Sequence, residues 1–375
     1  MLKILHTGDI HLDSPFARLD ARKAEIRRGE LRAAFSAMFS YARTNGVDMI
    51  LLAGDVFDRD FVTRETLALM LREFEMTECP IIIAPGNHDC AAPGSIWTKP
   101  IFPKNVHIFL SPTVEKFSFD NLGVDVYGYA FVSPEMTECP LNDTHADNPA
   151  RINLLCAHGE IGVPLSRYCP ISRAALNGFG ADYAALGHIH NAPQTEQIGN
   201  TLAAYCGCPE GRAFDEPGVK GAVLCEIEKE NGRADVHLKR IRFSRRRYEN
   251  ETADCTGAET LAEIEERIGA CIAENGYGED TLLRIVLQGS VSPALIVDAN
   301  ALRARFPQLF FLEVRDETLP AISHRDFEND RTVRGEFYRT LAAKMESGTP
   351  DERKIAAMAL RYGLSAIAGE NISET

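Results

Sequence analysis

Five short polar motifs, each directly after an apolar run of strand length, recur in one order along the chain. They are Asp9-Ile10-His11, Gly54-Asp55-Val56-Phe57-Asp58, Gly86-Asn87-His88-Asp89, His158-Gly159 and Gly187-His188-Ile189-His190. A chain that keeps ending strands in carboxylate, amide and imidazole groups is constrained to a fold in which those strand ends meet. In an open α/β sheet the ligand crevice lies beyond the carboxyl ends of the strands, where each motif would stand. A single D-x-H or H-x-H arises by chance, and a surface histidine usually does nothing. Five in sequence supply enough donors to hold two divalent ions about 3.5–4 Å apart around a bridging carboxylate and a hydroxide, the equipment of phosphoester hydrolysis.

The local patterns predict the scaffold. Residues 2–7 read as an apolar strand, and 22–44 as a helix carrying Ile26, Phe35, Met38, Phe39 and Ala42 on one side, ended by Asn45-Gly46 as a C-cap. A strand at 47–53, a helix opened by Thr63 with Leu67, Met70, Leu71 and Phe74, and a strand at 80–84 complete a β-α-β-α-β run. Such a run makes a parallel sheet. Strands at 106–110, 114–119 and 124–131 are expected to be successive and antiparallel, with Asp120-Asn121 as a turn. Others follow at 152–157, 183–186, 202–205 and 219–227, the last joined through Asn231-Gly232 to 235–243. The predicted class is α/β, in the αββα arrangement of two facing sheets with helices outside. In extended backbone Asp9 and His11 would point the same way, as would His188 and His190. The glycines at 54, 86 and 187 permit tight turns, although ordinary loop punctuation accounts for them equally well.

Composition narrows the setting. With 375 residues, 45% of them hydrophobic, the chain can bury a large core and form one big domain with smaller units. Met1-Leu2-Lys3-Ile4-Leu5-His6 runs straight into the first motif without a signal peptide, no stretch resembles a membrane span, and the expected location is cytoplasmic. Ten scattered cysteines then read as reduced thiols, and Cys206-Gly207-Cys208 as buried or loop thiols in preference to a soft-metal site. A net charge of −14 weighs against an extended phosphate-binding surface. Residues 239–247, with Lys239, Arg240, Arg242, Arg245, Arg246 and Arg247, are either a basic strip or a solvated edge strand. Asparagine and imidazole beside carboxylates favour Mn²⁺, with Fe²⁺ or Zn²⁺ as alternatives, over Mg²⁺ or Ca²⁺.

As they stand, the motifs resemble those of the calcineurin-like metallophosphoesterases over roughly residues 1–225. The resemblance implies a first ion on Asp9, His11, Asp55 and His190 and a second on Asp55, Asn87, His158 and His188, with Asp55 bridging. It also implies His88 as general acid or transition-state stabiliser, oriented by the Asp58 carboxylate. The chemistry agrees, since one carboxylate can span two ions and the motif histidine not needed as a ligand is free for proton transfer. Residues 6–16, 53–58 and 186–190, with Tyr205-x-Gly207-x-Pro209, Phe214-x-Glu216 and Lys220-Gly221, are most similar to the DNA-repair exonuclease branch, which includes the SbcD nuclease and YhaO-like proteins. The protein-phosphatase branch would show Arg-Gly after Asp58 and glutamate after His88; Arg59-Asp60 and Asp89 stand here instead. Cys208 replaces the usual serine-like residue.

Past residue 250 the organisation changes. An acidic connector at 249–254 is expected to lead to a helix at 258–274, a strand at 281–287, a helix opened by Ser292-Pro293 and a strand at 309–314. This α-β-α-β unit, 255–320, stands where such nucleases carry a capping domain, after a catalytic domain at 1–250. Helical patterns follow at 326–345, with Val333, Phe337, Leu341 and Met345, and at 351–367, with Ile355, Met358, Ala359 and Tyr362, separated by Ser347-Gly348-Thr349-Pro350. Their stripes either pack on the protein itself or, by resemblance, make 321–375 a docking segment for an SMC-like coiled-coil ATPase. The resemblance implies a metal-dependent DNA exonuclease or endonuclease in DNA repair, and leaves a homodimer open. The alternative is a small-molecule phosphodiesterase or phosphatase with the same site; the intact donor set disfavours a non-catalytic scaffold.

Overall fold

Leu2–Thr7 (β1), Met49–Leu52 (β2) and Ile81–Ile83 (β3) are almost wholly buried apolar runs, as strands covered on both faces must be. The computed structural model describes residues 1–59, 62–191, 194–292, 295–321, 327 and 329–367, and divides into two units, Met1–Arg247 and Tyr248–Thr375. In the first unit β1, β2, β3 and Val106–Ile108 (β4) are parallel neighbours. Gly221–Glu230 (β13) pairs antiparallel with β1 and with Arg233–Arg242 (β14), giving the order β14-β13-β1-β2-β3-β4. Ala21–Thr44 (α1) and Arg64–Glu75 (α2) make the crossovers, capped by Asp20 and Thr63, whose side chains accept the Lys23 and Thr66 N–H groups.

The second sheet has the order β11-β12-β10-β7-β6-β5. Its strands are Glu115–Phe119 (β5), Val124–Gly128 (β6), Ile152–His158 (β7), Tyr183–Gly187 (β10), Gln194–Ile198 (β11) and Thr201–Tyr205 (β12). A short pair, Glu160–Ile161 (β8) and Pro170–Ile171 (β9), and the helix Arg173–Phe179 (α3) lie between β7 and β10 in the chain. One core cluster holds Ile4, Leu51 and Ile82 from the first sheet together with Val126, Leu154 and Ala185 from the second, so the two sheets face each other.

The expectation that 106–110 continues antiparallel into 114–119 is overturned. β4 lies parallel to β3 in the first sheet, and only β5 and β6 form an antiparallel pair. The connection from β3 to β4 is long enough for a parallel crossover, and period alone does not choose between the two sheets. At the β13–β14 turn Asn231 and Gly232 both have positive φ, 51° and 78°, as a two-residue type I′ hairpin requires. β14 alternates: Ala234, Val236 and Leu238 pack against the core, while Arg233, Asp235, His237 and Lys239 are exposed. Arg246 pairs with Glu30 at 2.8 Å. Within 239–247 only 239–242 belong to β14; Lys239, Arg242 and Arg245 are exposed, while Ser244 is buried.

In the second unit Arg247–Asp254 (β15), Thr281–Gln288 (β16) and Phe311–Asp316 (β18) form a sheet, with Leu261–Asn275 (α4) and Ala299–Ala304 (α5) in the connections. Ser290–Val291 (β17) pairs with Leu319–Pro320 (β19). The connector expected at 249–254 is thus a strand, with Tyr248 and Ala253 buried and polar residues between them. α5 begins later than expected, where Asp298 accepts the N–H groups of Asn300 and Ala301; Pro293 lies outside the described residues. Val333–Ser347 (α6) and Pro350–Ile367 (α7) pack together around Phe327, Tyr338 and Leu360; residue 326, the expected start of the first of these, lies outside the described residues. Among the described residues no helix is long and apolar enough to cross a membrane.

Candidate metal centre

The segments after β1 and β2 run side by side, with hydrogen bonds from Asp9 N to Gly54 O at 3.0 Å, His11 N to Asp55 O at 2.9 Å and Leu12 N to Val56 O at 2.8 Å. Asp9, His11 and Asp55 have φ of 48°, 49° and 51°, and His188 has 104°. The extended backbone expected for the D-x-H and H-x-H pairs is therefore absent. Left-handed turns aim these side chains, and each costs on the order of 1–3 kcal/mol that the surrounding fold must offset. Close approach also explains two glycines: a Cβ on Gly54 would collide with the His158 ring, and one on Gly86 with the Asp55 carboxylate. Asp89 pins the third motif to the second. Its carboxylate accepts the N–H groups of Gly86 at 2.9 Å, Val56 at 2.8 Å and Phe57 at 3.2 Å.

All seven expected ligands converge. Asp9, His11, Asp55 and His190 each offer an atom within 4.8 Å of the others. Within this group His11 Nε2 lies 3.3 Å from His190 Nε2 and 3.6 Å from Asp55 Oδ2, and His190 Nε2 lies 3.7 Å from Asp9 Oδ1. On the other side of Asp55, His158 Nε2 is 3.5 Å from the same Oδ2, 3.0 Å from Asn87 Oδ1 and 3.3 Å from His188 Nδ1.

Three outward ring nitrogens have their own acceptors, whereas His11 Nδ1 has a carboxylate nearby but no hydrogen-bond partner among the described residues. His158 Nδ1 donates to the Ala53 carbonyl at 3.0 Å, His190 Nδ1 contacts Glu216 at 2.6 Å, His188 Nε2 lies 3.2 Å from Glu160, and His11 Nδ1 lies 3.3 Å from Asp58. With hydrogens turned outward, the inward nitrogens present lone pairs to one another and to carboxylate and amide oxygens. Acceptors crowded at 3.0–3.7 Å suit a cation between them. The donor set therefore fits divalent ions of the Mn²⁺, Fe²⁺ or Zn²⁺ type.

Electrostatics follow from burial and crowding. Burial lowers His11 far below the ordinary histidine range and takes His188 down to about 4. Burial lifts Asp9 to about 6 against the pull of His190 and His158. Burial would lift Asp55 too, but His158, His11 and His88 hold it low. Burial, then the Asp55 charge, raises Asp89 to about 7. For His190 the burial effect is outweighed by Glu216 and Asp9, which raise it, so a proton competes with a cation there.

His88 stands at the exposed rim, with its N–H bonded to Asp55 Oδ1 at 2.9 Å. Its Nδ1 lies 2.9 Å from the Asp58 main-chain oxygen, so the expected orientation by the Asp58 carboxylate is not what holds the ring. That carboxylate bonds Arg212 at 2.9 Å. Sequence reasoning missed Arg212, Glu160 and the role of Glu216; only the Phe214-x-Glu216 resemblance pointed toward that loop. All ten cysteines are free, and Cys206 and Cys208 are buried thiols outside the metal-capable groups of the described residues.

Residues 2–192 match the family model described as calcineurin-like phosphoesterase. An uncharacterized metallophosphoesterase, YhaO of Bacillus subtilis, is 28% identical over 344 residues, 88% of this chain and 80% of that protein. The DNA double-strand break repair protein Mre11 of Methanopyrus kandleri is 23% identical over 71% of this chain and 62% of its own length. One component of the nuclease SbcCD of Escherichia coli, SbcD, is 33% identical over 94 residues, 24% of this chain and 22% of that protein.

Proposed function

Because the chain belongs to the calcineurin-like phosphoesterase family, whose members are phosphoester hydrolases, we propose that it is a metal-dependent DNA nuclease with His88 as general acid. The observation that carries the reading is the lone-pair convergence on both sides of Asp55, with His88 exposed at the rim and held by the Asp58 carbonyl. Two divalent ions, one on Asp9, His11, Asp55 and His190 and one on Asp55, Asn87, His158 and His188, would polarise the phosphate and supply a hydroxide nucleophile near neutral pH. Asp55 lies between the two donor groups and bridges them. His88 Nδ1 keeps its hydrogen on the Asp58 carbonyl, so the imidazolium form would carry a second proton on Nε2 and give that proton to the leaving oxygen as the P–O bond breaks.

DNA as the substrate is supported by the similarity to Mre11, a DNA double-strand break repair protein, and to the nuclease SbcCD. Residues 255–320 are read as the cap, and the last two helices, α6 and α7, as the docking surface for an SMC-like ATPase. What supports docking is that Ile355, Met358 and Tyr362, spaced i, i+3, i+7 on α7, are exposed, while Ala356, Ala357 and Leu360 are buried. The test is digestion of end-labelled duplex DNA with Mn²⁺, run beside a chromogenic phosphodiester. Cleavage of both supports the nuclease. Cleavage of the chromogenic ester alone supports the small-molecule reading, with which a net charge of −14 also agrees.

A further inference from the structure

Arg212 has no part in the hydrolysis proposed above, yet it sits against one proposed ligand, His190, and against the carboxylate beside another, His11. Its side chain is 15% exposed. Nη1 donates to Asp58 Oδ1 at 2.9 Å, and Nη2 lies 2.9 Å from Glu216 Oε1 and 3.1 Å from His190 Nδ1. These carboxylates face the outward nitrogens of His11 and His190, at 3.3 and 2.6 Å. One guanidinium therefore joins the carboxylate that hydrogen-bonds the His190 ring to the carboxylate that lies beside the His11 ring, in the same donor group. We infer that Arg212 is a positioning residue for one ion only, the one read onto Asp9, His11, Asp55 and His190. The inference rests on the metal reading given above.

Both donor ends of Arg212 are engaged within the protein, which argues against a direct phosphate contact. The planar fork suits the task, because it reaches carboxylates on two sides, whereas lysine offers a single point charge. The loop that carries it is held from below. Arg27, fully buried, pairs with Glu210 at 2.7 Å and donates to the Gly211 carbonyl at 2.6 Å, and the Arg212 N–H donates to Glu216 Oε2 at 2.7 Å. Asp58, His11 and His88 also form a group of donors close enough for a metal. His158 and His188 rest on the Ala53 carbonyl and Glu160 instead.

The experiment is calorimetric Mn²⁺ titration of the chelator-stripped full chain in two backgrounds. Asn87→Ala keeps the donor group beside Arg212, and His190→Ala keeps the other. Adding Arg212→Met is expected to weaken Mn²⁺ binding about 10–100-fold in the Asn87→Ala background and to change it less than about threefold in the His190→Ala background. Arg212→Lys, which retains the charge without the fork, is expected to lose most of the same affinity and serves if the methionine variant does not fold. Equal losses in both backgrounds, or none in either, overturn the inference. Wild-type protein that binds no Mn²⁺ overturns the metal reading itself, a result distinct from wild type binding two ions with Arg212→Met unchanged.

Discussion

His88 Nδ1 lies 2.9 Å from the main-chain carbonyl oxygen of Asp58, while the Asp58 carboxylate is held at the same distance by Arg212. A carbonyl only accepts, so His88 carries its hydrogen on Nδ1 and turns Nε2 outward. One residue thus holds the proposed acid through its backbone, while its carboxylate lies 3.3 Å from His11, a proposed ligand.

The two substitutions should separate accordingly. His88→Ala is expected to lower turnover about 10²–10⁴-fold while keeping two bound Mn²⁺. Asp58→Asn leaves the carbonyl in place, so its defect should be a loss of metal affinity at the His11 side. Metal analysis beside kcat on a chromogenic phosphodiester checks both. A His88→Ala protein that loses its metals would contradict the assignment.

His6 is a second buried histidine with another consequence. It is fully buried, with Nδ1 2.8 Å from the Tyr183 hydroxyl, and burial pushes it down to about 3 from 6.5. Between those values the unfolded chain takes up a proton that the folded chain refuses. Stability is therefore complete above 6.5 and declines as pH falls toward 3, by roughly 1.4 kcal/mol per unit from this group. Urea unfolding in the presence of a chelator should show wild type losing on the order of 2 kcal/mol more than His6→Gln between pH 6.5 and 5. Parallel pH profiles would refute this.

The stripe on α7 can be tested without disturbing its packing. Ile355, Met358 and Tyr362 are 67%, 49% and 40% exposed, so replacing each with glutamate leaves the buried Leu360 face in place. The triple variant should keep hydrolysis of a small phosphodiester and lose co-purification with a coiled-coil ATPase encoded in the same cell. Retained co-purification would place docking elsewhere.

What was legible in the sequence was mostly local. The apolar runs of β1 to β3, the Thr63 cap and the Asn231-Gly232 turn each carry their own signal within a few residues. The seven candidate donors were legible because they recur at strand ends, and the structure brings them together. Arg212 was not, since its bond to Asp58 spans 154 residues and no periodicity marks it. Nor were the left-handed Asp9 and His11, because an L-residue seldom takes that conformation unless tertiary contacts such as those to Gly54 and Asp55 impose it. The placement of β4 failed for the same reason, since sheet membership is decided by partners distant in the chain.

The proposed roles all depend on two divalent ions held on either side of Asp55. Crystals grown at neutral pH with Mn²⁺, with data collected at the manganese absorption edge, test it most directly. The account predicts two anomalous peaks about 3.5–4 Å apart, one among Asp9, His11 and His190 and one among Asn87, His158 and His188, with Asp55 touching both. A single peak, or peaks away from Asp55, would contradict it.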